Sequence, residues 1–577
     1  VHTYTMEWDD LLREYLGEFG RFQKITAMLV IPVGITVGLN FVAMTFLAAT
    51  PEHHCRVFGN ASSVGHRYQA EGYNLSVPLE NIGGTWKRSS CLMYKESNGT
   101  TTPGNETTVC THGWEYDRTI YQRTIVTEYD LVCSRSWLKG LGQSTFMAGA
   151  GLGGIFFGTL SDRFGRQPTT VLCLLLHLAL STGASFTPDY VSFIVLRALD
   201  GAAANGAIYT AFVLAVEVVG PSKRNAVSMA ISLSASVGYL LLCLLAYYIR
   251  TWRNLQLVQA VIMTPLMCYW WVLPESPRWL ISNKRVKSAR DVLQRAARVN
   301  NVTIPDDVYT SLLTTSAESN EAKNRFTMID LLRTPQMRKI TVTVCLTWIF
   351  VTGVYYGLLV GTTDLAGDPY VNFALGTAFE MGLAVLGWAA MERFGRKPVI
   401  AGSALLAGIG CLVSAGTTGL ATVSRNFALV GRVVNAMSFH CLAAYTPEVF
   451  PTVVRSTGMG IATACSRIGS MLAPFVTLLG DVWLPLPMLT FGVASCAGGL
   501  AVCLLPETLG LPLPETIEDV ENLGREPHRK KDKDKSVTTS ALSCYLNEYV
   551  YEALEHLALS YTTSYYVYVH ERVPTVL

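Results

Sequence analysis

Charge is scarce in this sequence. Only 15% of the 577 residues are charged, against about a quarter in a soluble globular chain. The net charge of +2 leaves no basic excess to coat nucleic acid and no acidic excess to solubilise a disordered chain, so no nucleic-acid partner is expected. The 14 cysteines are too sparse for a disulfide scaffold, which would be short and cysteine-dense. No Walker loop, His-Glu-x-x-His helix or nucleophile elbow occurs, so ATP-driven pumping and membrane hydrolysis lack support. No enzymatic activity, metal or cofactor is therefore expected, beyond a coupling ion, Na+ or H+. What abounds is apolar: half of the residues, with a mean hydropathy of +0.30. These figures describe an integral membrane protein whose first partner is the lipid bilayer. The chain opens on Val1 and not Met, which predicts a start further upstream.

A bilayer core of ~30 Å needs about 20 mostly apolar helical residues. Twelve windows meet that length: 25–49, 140–160, 168–187, 190–216, 225–249, 254–274, 339–361, 370–391, 398–418, 426–446, 456–479 and 485–505. The first is not a cleaved signal, being too long and lying behind Glu7, Asp9 and Asp10. The expected fold is an all-α membrane protein of 12 transmembrane helices.

Segment 51–138 holds Cys55, Cys91, Cys110 and Cys133 together with Asn-x-Ser/Thr acceptors at Asn60, Asn74, Asn98 and Asn105. Such a loop belongs in an oxidising, glycosylating compartment; how its cysteines pair is open. Short loops on the side of both termini carry Arg163, Arg166, Lys223, Arg224, Arg393, Arg396, Lys397 and Arg455, whereas the opposite short loops carry Arg250, Arg253 and Arg425. The positive-inside rule then places both termini in the cytosol, and Asn301, which opens another sequon, stays bare there. The organisation expected is a cytosolic N-terminus (1–24), a six-helix half (25–274), a cytosolic loop (275–338), a second half (339–505) and a largely disordered cytosolic tail (506–577). In the cytosolic loop Val286, Ala289, Leu293 and Ala296 recur at helical spacing, predicting an amphipathic helix beneath the bundle, and Thr327-Met-Ile-Asp330 reads as a capping box. The alternating charges of 525–535 read as a solvated tail.

The two halves repeat each other. Ser161-Asp-Arg-Phe-Gly-Arg-Gln-Pro168 matches Met391-Glu-Arg-Phe-Gly-Arg-Lys-Pro398 at an offset of 230; Glu217 and Arg224 match Glu448 and Arg455 at 231; Leu273-Pro-Glu-Ser matches Leu505-Pro-Glu-Thr at 232. One design occurs twice, as in transporters whose halves rock about a central site. All three motifs lie at one face and carry both signs. Asp162, Glu217, Glu275, Glu392, Glu448 and Glu507 can meet Arg163, Arg166, Arg224, Arg278, Arg393, Arg396 and Arg455 across the seam between halves. Exposed pairs contribute only ~0–1 kcal/mol each, which suits a reversible cytosolic gate, the alternative being pairs that merely fix turns.

Asp162-Arg-Phe-Gly-Arg166 and Pro274-Glu-Ser-Pro-Arg-Trp-Leu280 resemble signatures of the major facilitator superfamily. Gly113-Trp-Glu-Tyr and Thr124-Ile-Val-Thr-Glu-Tyr-Asp-Leu-Val-Cys133 narrow the resemblance to the organic cation/anion/zwitterion transporters. Thr50-Pro-Glu-His-His-Cys-Arg56, Ala211-Phe-Val-Leu, Thr452-Val-Val-Arg455, Cys465-Ser-Arg-Ile-Gly-Ser470 and Leu513-Pro-Glu-Thr-Ile are most similar to the carnitine/ergothioneine branch, over residues 7–520. The resemblance implies a major facilitator fold in the plasma membrane.

An ionisable residue at membrane depth costs several kcal/mol unless it faces a partner or a wet cavity. Glu380 lies mid-window with no Lys or Arg within a helical turn, and Arg467 lies mid-window too. The resemblance links the Glu380 position to cation recognition and an Arg at 467 to the anion and zwitterion branches. One negative and one positive group suit a substrate bearing both charges; the alternative is that they pair with each other or with other bundle groups. Tyr355 and Tyr356 match the family's aromatic pair, and Phe212, Tyr239, Phe439 and Tyr445 fall in windows that line the central cavity in this superfamily, where rings would hold a quaternary ammonium. Ile208 stands where the branch has an aromatic, with Tyr209 turned about 100° away; Ala443 replaces a Tyr and His440 a small or amide residue. These departures leave room for a bulkier or imidazole-bearing substrate. Arg197 and Asp200, one turn apart, can neutralise each other, and Arg432 is also intramembrane. Gly149-Ala-Gly-Leu-Gly-Gly154 spells a dinucleotide fingerprint but lacks the preceding strand, so it reads as close helix packing. Thr575-Val-Leu577 fits a PDZ-protein ligand. The expected function is alternating-access transport of small organic zwitterions or cations; the rivals are an organic-anion exchanger and a non-transporting ligand sensor.

Overall fold

A computed structural model describes residues 8–56, 77–82, 85–97, 100–101, 106–305, 329–511 and 514–522. The four sequons, Thr327, the charged 525–535 stretch and Thr575-Val-Leu577 lie outside the described residues.

Helices fall in every one of the twelve windows, and the sixth continues from Met263 through a tighter 3-10 turn, Thr264–Cys268, to Tyr269–Val272. They are α1 (Arg21–Phe41), α2 (Trp137–Phe164), α3 (Arg166–Ala184), α4 (Tyr190–Val218), α5 (Arg224–Tyr248), α6 (Trp252–Met263), α7 (Pro335–Val360), α8 (Pro369–Phe394), α9 (Arg396–Gly416), α10 (Ala421–Val449), α11 (Arg455–Thr477) and α12 (Leu486–Val502). Among the described residues, nine helical spans are long and apolar enough to cross a membrane, which is consistent with twelve crossings once shorter or more polar helices are included. Large apolar side chains such as Leu152, Ile155, Leu199 and Leu406 point outward, as helices in lipid require.

Small residues set the packing inside each half. A Cβ on Gly238 of α5 would fall 2.3 Å from the Ile35 carbonyl of α1, and one on Gly469 of α11 would fall 2.2 Å from the Ile349 carbonyl of α7. These glycines stand 231 residues apart, so the close crossing of first and fifth helices is itself duplicated.

The halves also touch each other. Ser144 donates to the Met471 carbonyl at 2.6 Å, Lys139 lies 3.8 Å from Asp364, and Phe46 stacks on Tyr370 at 5.5 Å. All these contacts lie toward the end that carries loop 51–138, called the loop end below. The loop is stapled by Cys55–Cys110 and Cys91–Cys133, which settles the pairing. Its two-stranded ribbons join His53–Cys55 to Trp114–Tyr116 and Leu92–Tyr94 to Thr107–Val109. Glu128 fastens it to the start of α6, accepting from Arg253 at 2.7 Å and from the Trp252 indole at 2.7 Å.

At the opposite, motif end, helix Val286–Asn300 turns Ala289, Leu293 and Ala296 inward as their spacing predicts, while Val286, in the first turn, is exposed and Ala297 joins the buried face. They pack with Leu11, Leu12 and Leu16 of the N-terminal segment and with Trp279 and Leu280. Asn300 closes this layer by accepting from the Phe22 N–H at 2.8 Å and donating to the Leu16 carbonyl at 2.9 Å.

Candidate functional site

Glu380 projects from the middle of α8 and is fully buried. Bare carboxylate at that depth is untenable without partners, and the fold supplies three. The Tyr355 hydroxyl of α7 donates to it at 2.6 Å, while Arg432 Nη2 and His440 Nε2 of α10 stand 3.7 and 3.8 Å away. Arg432 also donates to Thr362 at 3.1 Å and Thr377 at 2.8 Å, and lies over the Phe373 ring at 5.0 Å. The isolation of Glu380 within its own helix thus does not extend to space: Arg432, 52 residues on in sequence, is its counter-ion.

Aromatic rings complete the wall. Tyr355 stacks on Phe439 at 4.6 Å and meets Tyr356 edge-on at 5.1 Å, and Phe439 meets Trp348 at 5.7 Å. Tyr239, from α5 of the other half, is buried beside Tyr355, Tyr356 and Glu380. Phe212 is partly buried against the main apolar core. Tyr445 departs from expectation. Its ring is fully buried and its hydroxyl donates to the Pro506 carbonyl at 2.5 Å. Depth along α10 was legible, but Tyr445 sits one turn before Glu448 and ties that helix to the chain leaving α12, so it is structural. Tyr209 is exposed, as its helical rotation from Ile208 implies.

Arg467 on α11 is half-buried. Its Nη2 donates to Asn205 Oδ1 of α4 at 3.0 Å, its guanidinium lies 5.5 Å over the Phe41 ring, and it interacts with the Tyr356 hydroxyl. Tyr356 meets Tyr355 edge-on at 5.1 Å, and Tyr355 in turn donates to Glu380, so the tyrosine pair lies between the base and the acid. Nothing in composition flagged Asn205. Arg197 and Asp200 do neutralise each other, at 3.3 Å, and His177 joins them at 2.5 Å from Asp200. All three are fully buried, and Arg197 also donates to the Asn40 carbonyl at 2.6 Å, a packing arrangement.

At the motif end, in the conformation described, the repeated charges pair within each half and not across the seam. Arg166 pairs with Glu217 at 3.0 Å and Asp162 at 2.6 Å; Arg396 pairs with Glu448 at 3.1 Å. Each pair lies inside one half. Arg224 binds Asp9 of the N-terminal segment at 2.6 Å, and Arg455 donates to the Phe450 carbonyl at 3.1 Å. Arg163 and Arg393 lie over the neighbouring rings of Phe164 and Phe394, and Arg278 and Glu392 are exposed.

Glu275 and Glu507 cap α3 and α9. Each accepts from the first two N–H groups of its helix, at 2.9 to 3.3 Å for Arg166 and Gln167 and at 2.9 and 3.0 Å for Arg396 and Lys397. The turn before each helix needs glycine: Gly165 has φ 120 and Gly395 φ 100, and a Cβ at either would strike the capping carboxylate. The reason is geometric: a sharp turn places Arg166 and Arg396 beside the acid of the fourth helix of their own half. Burial raises the Glu275 carboxyl above its ordinary value. Burial pushes Glu507 up too, but four backbone N–H groups outweigh it and hold the carboxyl low.

A duplicated twelve-helix bundle with buried charges and aromatics at its centre is the architecture of a membrane transporter. The chain matches the sugar (and other) transporter family over residues 83–519. It is 35% identical over 553 residues to the organic cation transporter protein of Drosophila melanogaster, covering 94% of this chain and 99% of that one. It is 33% identical over 543 residues to the human organic cation/carnitine transporter 2 (90% and 95% covered) and 32% identical over 546 residues to solute carrier family 22 member 6 of Bos taurus (92% and 97%). In fold it resembles the inward-open xylose transporter XylE from E. coli, with a TM-score of 0.58 at 16% identity over 86% of this chain and 98% of that one. The chain belongs to the solute carrier 22 family of organic cation and anion transporters, within the major facilitator superfamily. It is a multi-pass membrane transporter of small organic substrates.

Proposed function

We propose that the chain carries small organic zwitterions or cations of the carnitine type across the plasma membrane by alternating access, with loop 51–138 outside and both termini in the cytosol. The carrying observation is a half-buried Arg467, held by a neutral amide, in the same bundle as a buried Glu380 that is walled by Tyr355, Tyr356 and Phe439. A quaternary ammonium gains up to ~2 kcal/mol on such rings when desolvated, while a carboxylate takes a bidentate pair from a guanidinium. The coupling ion in this reading is Na+ or H+. In this reading Arg467 and Glu380 are the charged ends of the site, and the repeated acid–base motifs stiffen each half at its gate.

One observation favours an organic-anion exchanger as the second reading. Arg432 already sits against Glu380, so Arg467 remains as the excess positive charge of the site. An uptake panel across carnitine, ergothioneine, carcinine, a simple quaternary amine and urate, with and without sodium, tests both. Arg467→Ala is expected to abolish uptake of carboxylate-bearing compounds with surface expression kept; unchanged uptake kinetics in that variant would refute the assignment. Competition of labelled carnitine by a dicarboxylate alone would favour the exchanger.

A further inference from the structure

The Arg467 guanidinium reaches across the seam to a neutral partner. Asn205 Oδ1 accepts from Arg467 Nη2 at 3.0 Å, and the same amide donates through Nδ2 to the Ala150 carbonyl of α2 at 2.8 Å. An amide whose N–H2 is committed to a helix carbonyl can present only its oxygen to the other side. Asn205 is buried, with 6% exposure, so this orientation is held by packing. The residues that hold it are the glycines of Gly149-Ala-Gly-Leu-Gly-Gly154. A Cβ on Gly149 or Gly153 would collide with α4 backbone at 1.8 Å (Ala198 carbonyl) and 2.3 Å (Ala202 carbonyl), and one on Gly154 would sit 2.9 Å from Asn205 Nδ2. A Cβ on Gly151 would press on the Arg467 stem at 3.3 Å. The run of small residues on α2 therefore seats both members of the contact.

We infer that Asn205 sets the charge selectivity of the site: it aims the Arg467 guanidinium without neutralising it, leaving a full positive charge for a substrate carboxylate. Arg467 Nε is buried with no hydrogen-bond partner among the described residues, so a donor of the planar fork is available to a second acceptor. An acid at position 205 would occupy the guanidinium with its own charge and convert the site to one for simple cations. This inference rests on the reading of Arg467 as the carboxylate end, and it adds the residue that controls that end.

The test compares uptake of labelled γ-butyrobetaine and butyltrimethylammonium, which differ by the carboxylate, in cells expressing wild type, Arg467→Ala and Asn205→Asp. In Asn205→Asp the ratio of uptake efficiencies is expected to move at least tenfold toward the simple cation, about 1.4 kcal/mol. Loss of helix packing alone would lower both substrates together and leave the ratio in place. If Asn205→Asp fails to reach the cell surface, Asn205→Leu, which removes the acceptor, is expected to move the ratio in the same direction. A ratio that Arg467→Ala shifts but neither Asn205 variant does overturns the inference and spares the reading of Arg467. A ratio that Arg467→Ala also leaves unmoved overturns that reading itself.

Discussion

Residues of one type at one depth play unequal parts here. Arg432 is fully buried and is the ion-pair partner of Glu380, whereas Arg467 is half-buried and held by a neutral amide. Removing one member of a buried pair costs about 3–5 kcal/mol because the other charge stays behind. Arg432→Ala is therefore expected to lose most of its surface expression, measurable by surface biotinylation, while Arg467→Ala keeps it. Glu380 and Arg467 were legible from sequence because charge is conspicuous in an apolar window. Tyr355, His440 and Arg432 stood out as well, but their convergence on Glu380 did not, because it depends on how α7 and α10 pack against α8; Asn205 is an ordinary polar residue until α2 and α4 are packed. Tyr445 shows the converse limit, since a sequence gives depth along a helix but not which neighbour a ring will meet.

At the scale of elements the duplication was readable because turns and caps need particular residues. Gly165 and Gly395 adopt backbone conformations open to few other residues, and Glu275 and Glu507 close the helices that follow. The two caps differ in electrostatics, and this gives a measurable contrast. Glu507 has a lowered carboxyl, so the folded state prefers its charged form; that stabilisation is present above the ordinary value of 4.5 and is lost as pH falls through the lowered one. Glu275 has a raised carboxyl, so its ionisation works against the fold as pH climbs from 4.5 through the raised value. In detergent at pH 7, Glu507→Gln is expected to cost about 1 kcal/mol, modest because the group is partly exposed, and Glu275→Gln less. The Glu507→Gln deficit in melting temperature should close as pH falls below 4.5. The helix Val286–Asn300 was also legible, from its apolar spacing. Its lid of Leu11, Leu12 and Leu16 was not, because a short segment carries too little periodicity to declare a face.

For the whole molecule, the halves meet toward the loop end through Ser144, Lys139, Phe46 and their partners. Rocking requires this contact to part and reform. A Cβ on Gly140 of α2 would lie 3.3 Å from the Pro474 carbonyl of α11, so a ring there wedges the contact apart. Gly140→Trp is expected to abolish uptake while retaining binding of a non-transported quaternary amine added from the loop side, read by radioligand binding on intact cells. Retained uptake would show that the contact does not need to close.

The salt-bridged motifs, each confined to its own half, also bear on how the cycle is driven. Electrolyte screens charges that face water, yet pairs held inside one half do not have to part for the two halves to move against each other. Lys139 and Asp364 are different, because their pair joins the two halves and is open to water; added electrolyte is expected to loosen the loop end while each half keeps its own shape.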